Sequence, residues 1–477
     1  MPLEVLTPDQ APSRDSGLRH NILSPLETLS QSVSAIAPTT SPALTIPLVF
    51  ADAGNGAWLA YALAGLATLL MALCIARFAR TSASPGSLYK YASDSLPALG
   101  GRTAGLALLL AYTATGASVV GGFINYARVL IPAAQHVPGW AIALLATAAA
   151  TYFAYHDVQT SARLMLWIEA ASVSMISLVI LALIFHTGLK VDAPQAALTG
   201  VTGSGVRLGV VLAIFSFVGF ESSTALGHEA KNPLRTIPRA VVQSSILAGV
   251  FFLVCCYTET LGFRQLHMDL GASQDPFRAL AALARLPFFG PLIDIGAFVS
   301  MFAANLACIT AAARILLKMS HDGLVPAHFG RAHAKNETPH IAVLACGLVV
   351  AILAAGLSAH GTSGADIYGQ MGSLAVYGFI TAYFLVALAL PFYLRRSAQL
   401  TPAANPGAPF VTVSSSRVGK SATLLLSVSA ALAMVLAMAG TLYPVPPPPY
   451  NVLPYIYLAY LAAGLTISLL TPKPGAP

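Results

Sequence analysis

Four acidic side chains lie inside otherwise apolar stretches of the sequence, and two of them are candidates for proton or cation chemistry. Glu169 and Glu221 each interrupt a long run that carries no other charge, whereas Glu259 and Asp294 stand nearer the ends of their runs. A carboxylate at membrane depth is costly and therefore pairs with another group or serves a substrate or proton pathway. Glu169 is a candidate proton-coupling group, and Glu221 is a candidate acceptor of a proton or of a substrate ammonium group.

Each of these side chains also has a structural interpretation. Glu169 can pair with Arg163 or with a backbone group instead of carrying a proton. Glu221 can cap a loosened helix or pair with a basic residue at the inner side. We expect Glu259 and Asp294 to be solvated charges of an outer vestibule.

Hydroxyl groups between two prolines form a second candidate site. The segment SAIAPTTSPALTIP, residues 34–47, places Thr39, Thr40 and Ser41 between Pro38 and Pro42. Proline lacks an amide hydrogen and clashes with the carbonyl four residues back, so a helix across this segment loses several bonds. Lipid cannot satisfy the freed carbonyls. The segment therefore predicts either a break that lines a polar binding cavity or a kink sealed by neighbouring helices and by the hydroxyls.

A matching irregularity occurs later in the chain, in the segment FSFVGFESS, residues 215–223, where Gly219 precedes Glu221. These two segments open the first and the second group of five predicted spans. Corresponding breaks in two halves of a membrane protein indicate an inverted repeat with the binding site at the repeat interface. Half-helix N-termini would there offer N–H groups to an anionic substrate group, and half-helix carbonyls would favour a cation.

The amino-acid composition indicates that these segments lie in a membrane. Of 477 residues 56% are apolar and only 9% are charged, and the mean hydropathy is +0.73. Soluble chains carry about 25% charged residues, so these few charges cannot cover a soluble body of this size. The net charge of +7 is explained by basic loops on one side of a membrane, and we predict no nucleic-acid partner.

Charge-poor runs predict an all-α polytopic membrane protein with twelve transmembrane helices. The predicted spans cover residues 28–51, 55–76, 104–127, 140–155, 163–187, 208–228, 241–257, 287–313, 341–359, 367–394, 422–442 and 452–470. Residues 1–20 are predicted to be a disordered cytoplasmic tail, and residues 21–396 the core of ten helices. Residues 397–420 would form a cytoplasmic linker, and residues 421–477 the last two helices and a short tail.

The basic residues predict the orientation. With the N-terminus inside, sixteen Lys and Arg residues fall in the inner connections and six in the outer ones. Positive residues accumulate on the cytoplasmic side, so both termini are predicted to be cytoplasmic, in the plasma (inner) membrane. The inner loop GHEAKNPLRTIPRA carries Glu229, Lys231, Arg235 and Arg239, which form either a solvated cluster of salt bridges that sets topology or a gate that closes the inside.

Three segments carry a resemblance to a known family. They are residues 215–241 (FSFVGFESSTALGHEAKNPLRTIPRAV), residues 79–101 (ARTSASPGSLYKYASDSLPALGG) and residues 318–339 (KMSHDGLVPAHFGRAHAKNETP). In this order and spacing the chain resembles the amino acid–polyamine–organocation permeases. The resemblance implies a five-plus-five inverted-repeat transporter core with two extra helices. It also implies that Phe215 closes over substrate, that residues 216–219 are unwound, and that Tyr112 and Gly116 face the site.

One departure from the family bears on the substrate. Amino-acid-transporting members commonly carry a glycine-rich element in the first helix, whereas this chain has APTTSP at that place. The prolines remove backbone N–H donors, and the hydroxyls add side-chain donors. Compared with a typical member of the family, this difference favours a polyamine, a decarboxylated amine or a modified amino acid as substrate. The predicted substrate-binding residues are Thr39, Thr40, Ser41, Tyr112, Gly116, Phe215, Ser216, Gly219 and Glu221.

The predicted function is secondary transport of amino acids or related organic amines by alternating access, coupled to protons through Glu169. Sodium coupling is the less favoured interpretation, with Ser300 and Thr310 as ligands. The alternatives are an exchanger of two amines and a substrate sensor that uses the same pocket without net flux. The sequence contains no HExxH and no cofactor motif, so we predict no enzyme activity, no cofactor and no metal site. His321, His328, His333 and His340 are too irregularly spaced for a metal site, and the five cysteines predict neither disulfides nor zinc.

Overall fold

The computed structural model describes residues 18–156, 158–187, 191–273, 275–399, 417–443 and 445–470. Within these ranges the chain forms helices and turns, and its β-structure is one isolated bridge between Leu23 and Ala230. Most of the predicted tail at residues 1–20, most of the linker at 397–420 and the last seven residues lie outside the described ranges, so those domain assignments stay predictions.

Eight helices form in the part of the chain described before residue 200. They are α1 (Pro25–Ile36), α2 (Ile46–Ala53), α3 (Ala57–Ala79), α4 (Ser87–Ser95), α5 (Ala98–Leu130), α6 (Gly139–His156), α7 (Val158–Thr187) and α8 (Ala193–Ala196). A π-helical segment, Ser41–Thr45, joins α1 to α2. The start of α1 follows from its sequence. Ser24 and Glu27 form a reciprocal capping box, and Pro25 occupies the first turn, where its missing N–H costs nothing.

Eight more helices form in the described residues after position 200. They are α9 (Gly203–Phe217), α10 (Pro233–Leu266), α11 (Pro276–Leu283), α12 (Phe289–His321), α13 (His340–Ala359), α14 (Gly364–Gln399), α15 (Arg417–Leu442) and α16 (Leu453–Leu470). A 3₁₀ segment, Ser222–Leu226, follows α9 after a short turn. Pro233 opens α10 directly after Asn232, whose left-handed conformation (φ 49°) separates that helix from the preceding loop.

Ten helical stretches within the described residues are long and apolar enough to cross a membrane. One of them, Pro25–Ala79, is 55 residues long and contains α1, α2 and α3. Because a single crossing needs about 20 helical residues, this stretch has length for two. The helix α6, with 18 residues, is not among the ten. The chain is a multi-pass, all-α membrane protein, and the count of twelve helices stays a prediction.

The burial of the spans shows which helices form the centre of the bundle. In the most apolar window of α5, 89% of residues are buried, compared with 17% in the stretch that contains α16. The helices α12 and α14 pack against α5 and are themselves 72% buried. Small residues allow the close packing: a Cβ on Gly121 would lie 2.7 Å from the carbonyl oxygen of Gly364. The helices α5, α12 and α14 therefore form the centre, and α16 lies at the lipid-facing edge.

The segment before α1 is packed against the loop between α9 and α10. The backbone amide of Asn21 donates to the carbonyl of His228, and the backbone amide of Lys231 donates to the carbonyl of Leu23. Leu18 is buried, and the ring of His20 stacks on His228 at 5.2 Å. These backbone bonds hold the segment before α1 to residues 228–231.

Candidate functional site

The first span is interrupted between α1 and the π-helical segment. The helix α1 ends at Ile36, and Ala37 adopts a left-handed conformation with φ 51°. This conformation is uncommon for a residue other than glycine. The two prolines explain the interruption, because Pro38 and Pro42 cannot donate the backbone bonds that would continue α1. The break predicted within residues 34–47 is therefore present at residues 37–39, and the chain resumes as a wider π-helical turn at Ser41–Thr45.

The second interruption follows α9. This helix ends at Phe217, and Gly219 has φ 97°, which a residue with a side chain rarely adopts. The 3₁₀ segment begins three residues later, at Ser222. The unwound stretch was predicted at residues 216–219, but Ser216 is helical and the irregular residues are 218–221. The turn is shifted because its conformation depends on Gly219, and Ser216 remains part of the last turn of α9.

The two interruptions contact each other. A Cβ on Gly219 would lie 2.7–2.9 Å from the Cβ, carbonyl carbon and carbonyl oxygen of Ala35, so only glycine fits at this distance. The hydroxyl of Ser222 donates to the carbonyl of Gln31 at 2.9 Å. The amide of Ser223 donates to the hydroxyl of Ser32 at 3.0 Å. The end of α1 and the 3₁₀ segment are thus joined by hydrogen bonds next to both breaks.

A cavity of about 10 Å³, which has room for about one water molecule, lies at this junction. Its wall is built from both interrupted spans and from α5 and α14. The lining residues are Ala35, Ile36, Ala37, Thr40, Ser41, Thr115, Val119, Phe215, Val218 and Tyr368. The cavity is narrow because Phe215 and Tyr368 meet across it, edge to face, with ring centroids 5.6 Å apart.

The polar groups of the cavity are hydroxyls. The hydroxyl of Thr40 is buried and has no hydrogen-bond partner among the described residues, and the same holds for the neighbouring Thr39. The hydroxyl of Tyr368 is paired with that of Thr45 at 2.8 Å. None of the ten lining side chains is charged. Since a buried hydroxyl without a partner loses free energy, the hydroxyl of Thr40 is available to a polar group that enters, whereas Thr39 does not line the cavity.

Three of the predicted binding residues line the cavity, namely Thr40, Ser41 and Phe215. Gly219 does not line the cavity but lies against Ala35, which does. Ser216 points away, because its hydroxyl is paired with Tyr61 of α3 at 2.9 Å.

Gly116 lies on a different face of α5, where a Cβ would come within 2.9 Å of Val350 and 3.2 Å of the amide oxygen of Asn305. Its position explains the tight packing of α5 against α12 and α13. Sequence reasoning placed Gly116 at the site through the resemblance alone, and the described cavity does not include it.

Glu221 is held between two tyrosines outside the cavity wall. Tyr112 of α5 donates to Oε1 at 2.7 Å, and Tyr383 of α14 donates to Oε2 at 2.6 Å. All three side chains are buried. The carboxylate therefore joins the second broken span to two central helices through neutral donors, and the basic partner considered for Glu221 is not among them. Tyr112 reaches the site through this bond and not as a lining residue.

Glu169 lies between α7 and α12. It is buried, and the hydroxyl of Ser300 lies 2.9 Å from Oε1 and 3.1 Å from Oε2. Arg163, the predicted structural partner of Glu169, instead binds Glu27 of α1 at 2.8 Å. Glu169 thus has one neutral donor and no basic partner among the described residues, and Ser300 is engaged with this carboxylate.

Comparison with known proteins identifies the family of this chain. The model of the family described as amino acid permease matches residues 31–470. The chain belongs to the amino acid permease family. It is 27% identical over 426 residues to cationic amino acid transporter 4 of Mus musculus, covering 85% of this chain and 64% of that protein. The permease-family chain therefore spans less than two thirds of the length of that relative.

A second relative and a solved structure are also similar to this chain. The branched-chain amino acid permease BcaP of Bacillus subtilis is 24% identical over 380 residues, which cover 75% of this chain and 78% of that protein. The crystal structure of MhsT in complex with L-phenylalanine aligns with a TM-score of 0.56 at 16% identity, covering 88% of this permease-family chain and 99% of MhsT. The all-α transporter fold predicted from the sequence is confirmed.

Glu229, which was considered as part of either a solvated cluster or an inside-closing gate, lies in a buried ion pair of this permease-family fold. Arg314 of α12 donates from Nε and Nη2 to the two carboxylate oxygens of Glu229 at 2.7 and 2.6 Å. A third bond runs from Nη1 to the carbonyl of Thr310 at 3.0 Å. The side chains are 1% and 0% exposed. The interpretation of Glu229 as part of a solvated cluster is wrong, because α12 supplies an arginine that encloses it.

Asp294 and Glu259 are likewise not the solvated vestibule charges that we expected. Asp294 is 2% exposed and is bound by Arg278 of α11 at 2.5 Å. Glu259 is 0% exposed. The expectation failed because α11, a short helix without a strong apolar signal, covers this end of the bundle and supplies Arg278.

Thr115, Tyr368 and Tyr383 are site residues that sequence reasoning missed. Thr115 and Tyr383 lie in the middle of the long apolar helices α5 and α14, and Tyr368 lies near the start of α14; single hydroxyl-bearing residues are common in such helices. A weak signal was available, since both helices contain glycines and small residues that favour a central position. Nothing in their local sequence distinguishes these three residues from ordinary packing residues.

Proposed function

We propose that the chain is a secondary transporter that moves an amino acid or a related organic amine across the plasma membrane by alternating access. The proposal rests on one observation: two interrupted spans meet at a buried cavity whose hydroxyls at Thr40 and Ser41 lie beside irregular backbone. Irregular backbone at membrane depth is tolerated where it is buried in protein or lines a cavity. Substrate binding at such a junction is the design found in inverted-repeat transporters.

The chemistry of the cavity favours a substrate without a second positive charge. No lining side chain is charged, and the nearby carboxylate of Glu221 already accepts two tyrosine hydroxyls. A diamine or a cationic amino acid would therefore bury a charge without a partner, at a cost of several kcal/mol. A zwitterionic solute with a small neutral side chain needs only the backbone dipoles and hydroxyls at the breaks, and we propose this class.

Access from one side is blocked by the buried pair of Glu229 and Arg314. The backbone bonds between residues 21–23 and 228–231 close the same end of the bundle. On the other side Phe215 and Tyr368 meet across the cavity. In the proposed cycle these two closures open in turn, and the substrate shifts the equilibrium by binding one state more tightly than the other.

Transport is tested in vesicles reconstituted with the purified protein. A thermal-shift screen of neutral amino acids, cationic amino acids and diamines first identifies the class that stabilises the protein. Uptake of the best solute is then followed with and without a proton gradient, and with a sodium gradient as an alternative. We expect stabilisation by neutral amino acids and proton-dependent uptake. Binding without any flux would instead favour the sensor, and flux that requires solute on both sides would favour the exchanger.

Proton coupling through Glu169 leads to a first prediction. In E169Q the side chain can no longer take up a proton, while its shape and the contact with Ser300 are retained. We expect proton-driven accumulation to fall to the equilibrium level and equilibrium exchange of solute to continue. The matched control is D366N, which alters an exposed carboxylate that accepts a hydrogen bond from the hydroxyl of Ser363. Undiminished accumulation by E169Q would remove Glu169 from the mechanism.

A second prediction concerns the unpaired hydroxyl of Thr40. The isosteric change T40V removes this hydroxyl from the cavity wall and preserves the volume. We expect roughly fivefold weaker binding of the solute, since one hydrogen bond contributes about 1 kcal/mol. In the control T466V the hydroxyl removed is exposed on α16 and bonded to Ala462, so binding should not change. Equal affinities for T40V and wild type, measured by titration of the purified protein, would contradict this role.

A further inference from the structure

Glu259 is a buried carboxylate for which the mechanism above has no use. It lies near the C-terminal end of α10 and is 0% exposed. Neither carboxylate oxygen has a hydrogen-bond partner within the described part of the chain. The other carboxylates buried in the bundle have one: Glu169 binds Ser300, Glu221 binds two tyrosines, and Glu229 and Asp294 bind arginines.

The titratable groups that interact electrostatically with Glu259 are phenols and thiols. Electrostatic interaction links its carboxylate to Tyr61 of α3, to Tyr126 of α5 and to Cys255 and Cys256 of its own helix. The hydroxyl of Tyr61 is already paired with Ser216. These neighbours are phenols and thiols, and none of them supplies a positive charge.

An ionised carboxylate in such surroundings is far more costly than its neutral acid form. A sodium ion does not resolve the problem, because a hard cation requires several oxygen ligands and half of these neighbours are thiols. A proton needs no other ligand. We propose that Glu259 is a proton-binding site, a neutral carboxylic acid while the cavity is closed, which releases its proton when water enters this part of the bundle.

The position of Glu259 links it to the cavity. Tyr61, which interacts electrostatically with Glu259, is hydrogen-bonded to Ser216, the residue before Phe217 at the end of the interrupted helix α9. Tyr126 packs in one apolar cluster with Ala37 and Tyr368, which line the cavity. Opening of the cavity on this side therefore changes the hydration of Glu259. This part of the inference rests on the proposed transport cycle and makes Glu259 a second proton site besides Glu169.

Infrared spectroscopy of the purified, substrate-free protein tests the protonation directly. A protonated carboxylic acid gives a C=O stretching band that a carboxylate lacks and that shifts in heavy water. At about pH 7, where an ordinary glutamate is ionised, we expect this band in the wild type and the loss of one component of it, that of Glu259, in E259Q. E169Q is the matched comparison and should leave that component in place.

Two results would overturn the inference. They are an unchanged band in E259Q, and a Glu259 component that appears only below about pH 5, as for an exposed glutamate. If E259Q does not fold, the unbranched apolar variant E259M gives the same comparison. The measurement needs neither substrate nor flux, so its failure is distinct from failure of the proposed transport function.

Discussion

Replacement of Arg314 by methionine will destabilise the protein far more than removal of a partner from one of its exposed ion pairs. In R314M the carboxylate of Glu229 remains buried without the arginine that donates to both of its oxygens. Breaking a buried pair in this way costs about 3–5 kcal/mol. We expect a large fall in the thermal midpoint of the purified protein and a lower yield of folded protein. Both are measured in the same detergent as the wild type.

The double variant E229M/R314M and a surface variant serve as controls. In the double variant no charge is left unpaired, so most of the lost stability should return. The change K90M removes one partner of the partly exposed pair of Lys90 and Asp94, and pairs of this kind contribute at most about 1 kcal/mol. If R314M is no less stable than K90M, the pair does not hold this end of the bundle closed.

The change G219A will have the largest effect on solute binding. An alanine at position 219 is strained at φ 97°, at a cost of about 1–3 kcal/mol. Its Cβ would also lie 2.7 Å from the Cβ of Ala35, and such overpacking typically costs about 1–3 kcal/mol more. Relief of the contact separates the two interrupted spans. We therefore expect binding and uptake of the solute to fall by about tenfold or more.

The control for G219A is G200A, because Gly200 also has a positive φ, of 74°, but no atom within 4 Å of its added Cβ. This variant carries the backbone strain without the contact, so its uptake should equal that of the wild type once the folded amount is matched. If G219A binds the solute as tightly as G200A does, the close approach of the two breaks is not needed for the site.

The breaks could be predicted from the sequence because their causes are local. Pro38 and Pro42 remove backbone donors whatever their surroundings, and Gly219 marks a turn that other residues avoid. The exact start of the second break was less predictable. Ser216 stays helical because the chain leaves the helix only where Gly219 permits it, two residues later than predicted.

The partners of the charged residues could not be predicted, since they depend on how distant helices pack. Glu229 and Arg314 are 85 positions apart, and Glu221 and Tyr383 are 162 apart. Hydropathy shows that each residue lies in or beside a span, but it does not show which helix faces which. The same reasoning explains why Glu259 was expected to be solvated. Its burial depends on the packing of α3, α7 and α11 against α10.

The most direct test of the account is substrate protection of a thiol at the break. In T40C a small thiol reagent should react at position 40 when the cavity opens during the proposed cycle, and saturating solute should block this reaction. The five native cysteines are buried and do not line the cavity, so they should not contribute. In T466C, on the lipid-facing helix α16, labelling should be independent of solute. Equal labelling of T40C with and without a solute that the protein is shown to bind would contradict the central claim, that substrate occupies the cavity where the two interrupted spans meet.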